Sequence, residues 1–221
     1  MRTELTIEAS AHRSPRIIAV GGLSARLTGP DSVHMIGTAA TPLGGDNLCI
    51  RIVVGAGARL SVRSVAASVA LPGRSAVESS AEWMFAVDDG GVLDFDPKPM
   101  IVAGNAIHHT HTAIDFSSSS TIEYRERVQI GRVGESLGKW YGTMRSDVDG
   151  RAHLRHRVEL GVGTTGYDAL ATPLSLSSTL VYPDDRKPGS IGSSAVRMPL
   201  AAGGSLTTST GITLQALPLV P

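Results

Sequence analysis

The spacing of apolar residues constrains this fold more than any other feature of the sequence. Apolar side chains recur at every second position in several short segments, whereas no segment of about 12 residues or more carries a convincing stripe at helical spacing. The clearest alternating run is Leu48, Ile50, Ile52 and Val54. Because successive side chains of a strand point to opposite faces, such a segment buries one face and exposes the other. The pattern predicts strands, with helix as a minor component.

The composition favours the same conclusion. Aromatic residues make up 4% of the chain, and its 25 glycines are accompanied by many serine, threonine and valine residues. Small and β-branched side chains pack well on pleated sheets and fill thin layers. We expect an all-β fold in a single domain over residues 1–221, made of stacked or layered β-sheets, β-helix-like, with one or two short helices. No repeat of fixed period occurs, which argues against a regular solenoid with a consensus rung.

Alternation and turn residues together predict where the strands lie and how some of them connect. The predicted strands cover residues 48–54, 60–71, 81–87, 92–96, 106–116, 121–130, 141–148 and 152–160. Strands 106–116 and 121–130 are expected to be antiparallel neighbours across a short serine loop, and Asp149-Gly150 predicts a hairpin between the last two strands. A helical turn is expected over 167–170, and the tail from Ser190 is either a loosely packed strand or a mobile end.

Charge and cysteine content exclude several classes of protein. Lysine plus arginine equals aspartate plus glutamate at 20 each, so no global field draws nucleic acid or an anionic membrane towards the chain. The single cysteine, Cys49, excludes a disulfide framework and a cysteine-rich zinc site, and is consistent with a reducing cytosol. The start of the sequence lacks the apolar run of a signal peptide. We expect a cytoplasmic protein without nucleic-acid or membrane partners.

Motifs for catalysis or cofactor binding are either absent from the sequence or lack the secondary structure that such motifs need around them. Neither a Gly-x-Ser-x-Gly elbow nor an H-E-x-x-H pair occurs. Residues 161–166 do match G-x-G-x-x-G, but Pro173 and a run rich in serine and leucine follow where a dinucleotide site needs a long helix. No catalytic or cofactor-binding residue is therefore predicted.

Four ordered stretches of the chain resemble one known family. They are Thr41-Pro42-Leu43-Gly44-Gly45-Asp46, residues 64–69, Leu93-Asp94-Phe95-Asp96-Pro97-Lys98-Pro99-Met100-Ile101, and Gly131-Arg132-Val133-Gly134-Glu135. Together they resemble the UreD/UreH urease accessory family, in which the second stretch ends in a lysine where this chain has Val69. On this resemblance, the structural residues of the motifs are Gly44, Gly45, Pro97, Pro99, Gly131 and Arg132.

The resemblance implies a function as well as a fold. It implies a non-catalytic scaffold that binds a UreF-type accessory protein, recruits a UreG-type GTPase carrying nickel, and docks on urease apoprotein. In that role the chain supports nickel insertion into urease. It implies no tightly bound cofactor, and nickel binding that is at most transient.

Three carboxylates are candidates for an internal polar path for nickel. Glu126 is in register with the apolar positions of its strand, where an unpaired carboxylate is costly, so it either pairs with an arginine or lines a wet path. Asp46 follows two glycines and either caps a turn or joins the path. Asp94 is either solvated or a member of the path. Anionic oxygens in sequence could pass a divalent cation without holding it tightly.

The run His108-His109-Thr110-His111 is the obvious candidate for metal binding. In a strand, His109 and His111 share one face and His108 lies on the other, which gives a two-ligand site unless His153 or His156 comes near. A tight site, a transient site and ordinary exposed histidines all remain open. The alternative function is a small metal-dependent β-fold hydrolase using His109 and His111. A basic ribbon over residues 151–157 either meets an acidic partner or is simply solvated.

Overall fold

A computed structural model describes residues 1–135, 137–169 and 171–217, which form 18 strands, one short helix and one 3-10 turn. The strands are β1 Arg2–Ser10, β2 Arg13–Val20, β3 Leu23–Leu27, β4 Ser32–Gly37, β5 Asn47–Val54, β6 Arg59–Ser64, β7 Ser68–Ala70, β8 Glu78–Val87, β9 Val92–Asp96, β10 Met100–Val102, β11 Ile107–Phe116, β12 Thr121–Ile130, β13 Lys139–Val148, β14 Arg151–Leu160, β15 Ser175–Tyr182, β16 Gly189–Ile191, β17 Ala195–Pro199 and β18 Ser205–Gly211. The helix α1 is Thr165–Ala169, and the 3-10 turn is Leu214–Ala216.

The strands form two sheets that enclose the core. The first sheet has seven strands in the order β14-β13-β11-β8-β5-β1-β2, and its five inner strands run parallel. The second sheet has eleven strands: nine follow the order β16-β17-β18-β15-β12-β9-β6-β4-β3, while β10 pairs with β12 and β7 pairs with β10. In this sheet β4, β6, β9 and β12 run parallel.

From β5 to β13 the chain passes repeatedly between the two sheets. β5, β8, β11 and β13 belong to the first sheet, and β6, β9 and β12 belong to the second. Each time the chain returns to a sheet, the new strand pairs in parallel with the strand that it formed there on the previous visit. This is the winding of a β-solenoid. The predicted all-β, layered and β-helix-like fold with one or two short helices is confirmed.

Two clusters of buried apolar side chains fill the space between the sheets. The larger cluster contains an aromatic group in which the ring centroid of Phe95 lies 5.0 Å from that of Phe85 and 5.2 Å from that of Tyr124. The smaller cluster surrounds Trp140, which is 1% exposed. Aromatic pairs at such distances contribute about 0.5–1.5 kcal/mol beyond the burial of their area. The interior thus has two apolar ends, and polar side chains lie between them.

One predicted pairing is wrong. β11 and β12 are not antiparallel neighbours: β11 lies between β8 and β13 in the first sheet, and β12 lies in the second. The serine loop between them carries the chain across the core instead of turning it within a sheet. Both strands bury one apolar face, and facing each other across the core buries both faces at once.

Two further segments differ from the expectation. The predicted strand over 60–71 is divided in two, because residues 65–66 form a bend between the end of β6 at Ser64 and the start of β7 at Ser68. The described part of the tail from Ser190 is packed unevenly, because β16 and β17 are mostly exposed whereas β18 is mostly buried. There, β18 is hydrogen-bonded between β15 and β17, and Leu206 is 1% exposed.

The hairpin at Asp149-Gly150 is confirmed, since β13 and β14 pair antiparallel on either side of it. The helical turn before Pro173 is also present as α1, although Leu170 lies outside the described residues. The ladder between β13 and β14 shifts register after Ser146, which leaves His153 as an additional inward residue.

His153 links the edge of the first sheet to the loop between β17 and β18. Its Nδ1 lies 2.8 Å from the buried Ser146 hydroxyl, and its Nε2 lies 2.7 Å from the Gly203 carbonyl oxygen. We expect His153→Ala to lower the free energy of unfolding by about 1–3 kcal/mol, because buried polar groups lose their partners. Urea unfolding would measure this, with the exposed His111→Ala as control. Equal stability of the two variants would show that this link contributes nothing.

Candidate functional site

A cavity of about 400 Å³ lies between the two sheets, at the level where the strand paired with β12 changes from β9 to β10. The first sheet contributes Leu48, Ala81, Trp83 and Thr110 to its wall, and the second contributes Phe95, Met100, Tyr124, Glu126 and Val128. The rest of the lining consists of residues 36–37, 39–42, 64–69 and 97–98, together with Leu23, Met35, Leu71, Arg125 and Arg127. Apolar side chains make up most of the wall, so a charged group here loses much of its hydration.

A mismatch in the second sheet creates the opening beside Glu126. β9 pairs with β12 as far as Phe95 and Tyr124, and β10 resumes the pairing at Met100 and Val128. Four residues, 96–99, therefore lie opposite three, 125–127. Two of the four are proline, which has no amide hydrogen to donate to a ladder. The Pro-x-Pro corner predicted from the sequence thus interrupts the sheet where the carboxylate lies.

Glu126 points inward, as its register in the sequence predicted. It is half-buried, because it borders the cavity, and burial raises the pKa of its carboxyl group from 4.5 to about 7. Within the described ranges no side chain or backbone group hydrogen-bonds or ion-pairs with it. The two adjacent arginines, Arg125 and Arg127, also border the cavity, but both form ion pairs with Asp96 instead. The structure therefore does not contain the ion pair between Glu126 and an arginine that the sequence left open as an alternative.

The structure does not bring the three candidate carboxylates together. Asp94 lies on the outer face of the second sheet, where it forms an ion pair with Arg63. Asp46 is buried and accepts hydrogen bonds at 2.9 Å from both the Thr41 hydroxyl and the Leu43 amide, and at 2.5 Å from the amine of Met1. Burial alone would raise the pKa of Asp46, but these donors lower it. Its contacts are those of a turn cap.

The glycines and the arginine of the family motifs occupy tight turns. A Cβ on Gly44 would lie 1.9 Å from the Ala76 carbonyl oxygen, and Gly45 has a φ of +92°. Arg132 binds Glu135, which also accepts a hydrogen bond at 3.0 Å from the Gly104 amide. Arg132 and these backbone donors lower the pKa of Glu135 to about 2. These residues shape the loops around the core.

His109 and His111 lie on the outer face of the first sheet, away from the cavity. The ring of His109 stacks on Tyr141 with centroids 5.0 Å apart, and Nδ1 of His111 lies 2.8 Å from the Thr143 hydroxyl. His153 points into the core instead. Nowhere in the part of the chain that the structure describes do three His, Cys, Asp or Glu side chains converge on one point. The hydrolase alternative thus gains no third ligand there.

The basic ribbon over residues 151–157 is largely neutralised within the chain. Arg155 pairs with Asp147, and Arg157 pairs with Glu159. His153 is buried, and burial lowers the pKa of His156. The ribbon therefore presents less positive charge than its sequence suggested.

His108, which the sequence pattern placed on the face opposite to His109 and His111, points into the core. It is 0% exposed, its Nδ1 lies 2.9 Å from the Ser79 hydroxyl, and its Nε2 is buried without a hydrogen-bond partner. Burial lowers the pKa of His108 to about 4, so the ring is neutral at pH 7. The sequence contained one indication of this burial. His108 is separated from Thr110 and Thr112 by even numbers of residues, so the three side chains share one face of the strand, and both threonines are also buried.

Fold and site define a class of protein: a layered β-scaffold with a largely apolar, partly open cavity between its two sheets and a carboxylate, Glu126, on the cavity wall. The family model of the UreD urease accessory protein matches residues 19–186, and this chain belongs to that family. The predicted resemblance is confirmed. No helix among the described residues is long and apolar enough to cross a membrane.

Individual relatives show the extent of the similarity. A urease accessory protein UreD of Frankia casuarinae is 36% identical over 202 residues, which cover 86% of this chain and 62% of that protein. UreD 1 of Saccharopolyspora erythraea is 33% identical over 192 residues, covering 85% and 75% respectively. UreD of Frankia alni is 44% identical over 121 residues, covering 55% and 41%. The chain thus spans less than two thirds of the length of both Frankia proteins.

Proposed function

We propose that this chain is a non-catalytic scaffold in urease maturation. It works in the cytoplasm with a UreF-type accessory protein and a UreG-type GTPase, docks on urease apoprotein, and supports the insertion of nickel. Family membership supports the role in maturation. The single observation that supports a direct role in nickel handling is Glu126, an unpaired carboxylate on the wall of a partly open cavity between the two sheets.

Nickel is the cargo in this proposal, and Glu126 is the group that meets it. With a pKa near 7, its carboxyl group can release a proton and accept a divalent cation at neutral pH. The wall is mostly apolar and also carries Lys98, Arg125 and Arg127. One carboxylate there offers too few oxygen ligands to hold the ion tightly, so the ion can leave again. Asp46 would meet the nickel ion at the edge of the cavity, where its hydrogen-bond partner Thr41 is part of the lining. Asp94 would meet the ion on the outer face of the second sheet.

The test uses cells that carry the urease gene set with and without this chain. Without it, or with Glu126→Gln, we expect assembled urease that contains little nickel, and affinity capture of the wild type should recover UreF-like and UreG-like partners. Glu123→Gln is the matched control, because Glu123 lies on the same strand but points outward to Arg125. Full urease activity without the chain, and no such partners, would overturn the proposal.

A transient nickel site at His109 and His111 is a separate proposal for the outer surface. Two histidines two residues apart on one face of a strand can share a cation, and imidazole suits nickel. Titration calorimetry with nickel should show weak binding that His109→Ala/His111→Ala reduces. Unchanged heat of binding in the double variant would remove both residues from the handling of nickel.

A further inference from the structure

The cavity between the two sheets has a mouth that is rimmed by small apolar residues. Ala39 and Ala40 lie in the loop between β4 and β5, and Val65, Ala66 and Ala67 lie in the loop between β6 and β7. All of them line the cavity and are also exposed, which places them at its opening. Exposed apolar residues are ordinary when scattered but mark interaction sites when grouped.

Behind the mouth, the cavity has the size and the walls of a ligand pocket. Its inner wall includes Leu48, Ala81, Trp83, Phe95 and Val128. Pockets for small molecules have volumes of about 300–1,000 Å³ and are lined mostly by apolar and aromatic side chains, with a few polar groups that orient the ligand. An apolar cavity of about 150 Å³ already takes up benzene. The cavity of about 400 Å³ therefore has room for an alkyl chain of medium length.

One cation at the mouth has no counter-ion within the described part of the chain. Lys98 lines the cavity and is exposed, and its ammonium group forms no ion pair with a described residue. Its backbone amide donates to the Ser64 hydroxyl at 2.8 Å, which joins the Pro-x-Pro corner to the β6–β7 loop. Arg125 and Arg127 also border the cavity, but Asp96 pairs with both. The charge of Lys98 is therefore available to an anionic head group.

We propose that the cavity binds a small amphipathic acid, such as a fatty acid of medium chain length, with its alkyl chain between the sheets and its carboxylate on Lys98 at the mouth. The inference goes beyond the proposed function and requires no metal ion. Each CH₂ group that leaves water for the apolar interior strengthens binding about fourfold. The alkyl chain thus supplies most of the affinity, and Lys98 selects the charge of the head group.

Glu126 makes the binding of an alkyl chain dependent on pH. Burial gives its carboxyl group a pKa of about 7, and an alkyl chain that displaces the remaining water favours the protonated form further. Below pH 7 the proton is already bound, so the affinity is highest there and falls as the pH rises. Around Glu126, the first sheet presents the uncharged Leu48, Ala81 and Thr110, β15 presents Ser178, and the other ionisable side chains of the lining are those of Lys98, Tyr124, Arg125 and Arg127.

The experiment measures binding of decanoate to the full-length chain by titration calorimetry, in complex with its accessory partners if these are needed to keep it in solution. Decyltrimethylammonium has the same alkyl chain and the opposite charge. Decanoate brominated at its terminal carbon reports where the chain lies, because bromine quenches the fluorescence of a nearby tryptophan. Of the two tryptophans, Trp83 lines the cavity and Trp140 does not, so Trp83→Phe should remove most of the quenching.

Variants of the mouth and of the interior locate the site. We expect Lys98→Gln to weaken decanoate binding about two- to fivefold, as the loss of an exposed ion pair does. Lys187→Gln is the control, because Lys187 is exposed and lies outside the lining. Ala81→Leu fills the interior and Ala67→Trp obstructs the mouth, so each should weaken binding about tenfold or more. Ala67 is exposed, so its replacement does not endanger folding, which circular dichroism verifies for every variant.

The wild type should bind decanoate more tightly than the ammonium probe, with an affinity that falls about five- to tenfold from pH 6 to pH 8. Glu126→Gln should remove this dependence on pH. Absence of saturable binding, or binding that Ala81→Leu and Ala67→Trp leave unchanged, would exclude the cavity as the site. Tighter binding of the ammonium probe, or full affinity in Lys98→Gln, would reject an acid as the ligand. These results do not depend on nickel loading of urease, which tests the proposed function separately.

Discussion

Glu126→Gln is expected to stabilise this protein at pH 8 by on the order of 3 kcal/mol, although it removes a charged residue. Burial raises the pKa of Glu126 from 4.5 to about 7, and each pH unit between these values corresponds to about 1.4 kcal/mol. Below pH 4.5 both the folded and the unfolded chain hold the proton, so the substitution has little effect. Between pH 4.5 and 7 the unfolded chain ionises first, and the wild type loses stability as the pH rises.

Urea unfolding at intervals from pH 4 to pH 8 would measure this difference. Glu123→Gln provides the control, because Glu123 lies on the outer face of the same strand and pairs with Arg125. That variant should show no gain at high pH. A constant difference between wild type and Glu126→Gln across the range would mean that the carboxyl group of Glu126 titrates normally. The cavity would then lack the chemistry proposed for it.

Gly142→Ala is expected to destabilise the protein by about 1–3 kcal/mol or more, as overpacking does in a filled core. A Cβ at Gly142 would lie 2.0 Å from Cη2 and 2.3 Å from Cζ2 of Trp140, two positions earlier on the same face of β13. The ring has little room to move, because it is 1% exposed and its Nε1 is bonded to Thr110. Displacing it would also disturb the polar interior next to His108.

A thermal or urea unfolding series would test this packing. Gly37→Ala is a suitable control, since the nearest atom to an added Cβ there is the Ala39 carbonyl oxygen at 3.8 Å. In a Trp140→Leu background the alanine should cost much less than in the wild type, because the clashing ring atoms are gone. Additive effects of the two substitutions would show that the ring of Trp140 does not limit position 142.

Local features of the sequence were sufficient to locate most strands. Alternation predicted β9 and β12 with the bounds that the structure has, and Asp149-Gly150 predicted the hairpin of β13 and β14. The four strands that precede residue 40 were not predicted. In the C-terminal region, the serine and threonine residues of β18 suggested loose packing, yet Ser205 and Ser209 are buried. Serine and threonine contribute little to the alternation of apolar and polar residues from which strands are predicted. Their burial in β18 depends on the neighbouring strands, which are distant in sequence.

The sequence by itself determined the inward direction of Glu126, because parity within a strand depends only on residues close in the chain. Tertiary structure decided the rest of the site. It placed β11 and β12 in different sheets, and it put Asp94 on the outer face and the surface histidines far from the cavity. It also left His108 without a partner for Nε2. These outcomes depend on which strands pair over long sequence distances, and burial of apolar faces across the core selects that pairing.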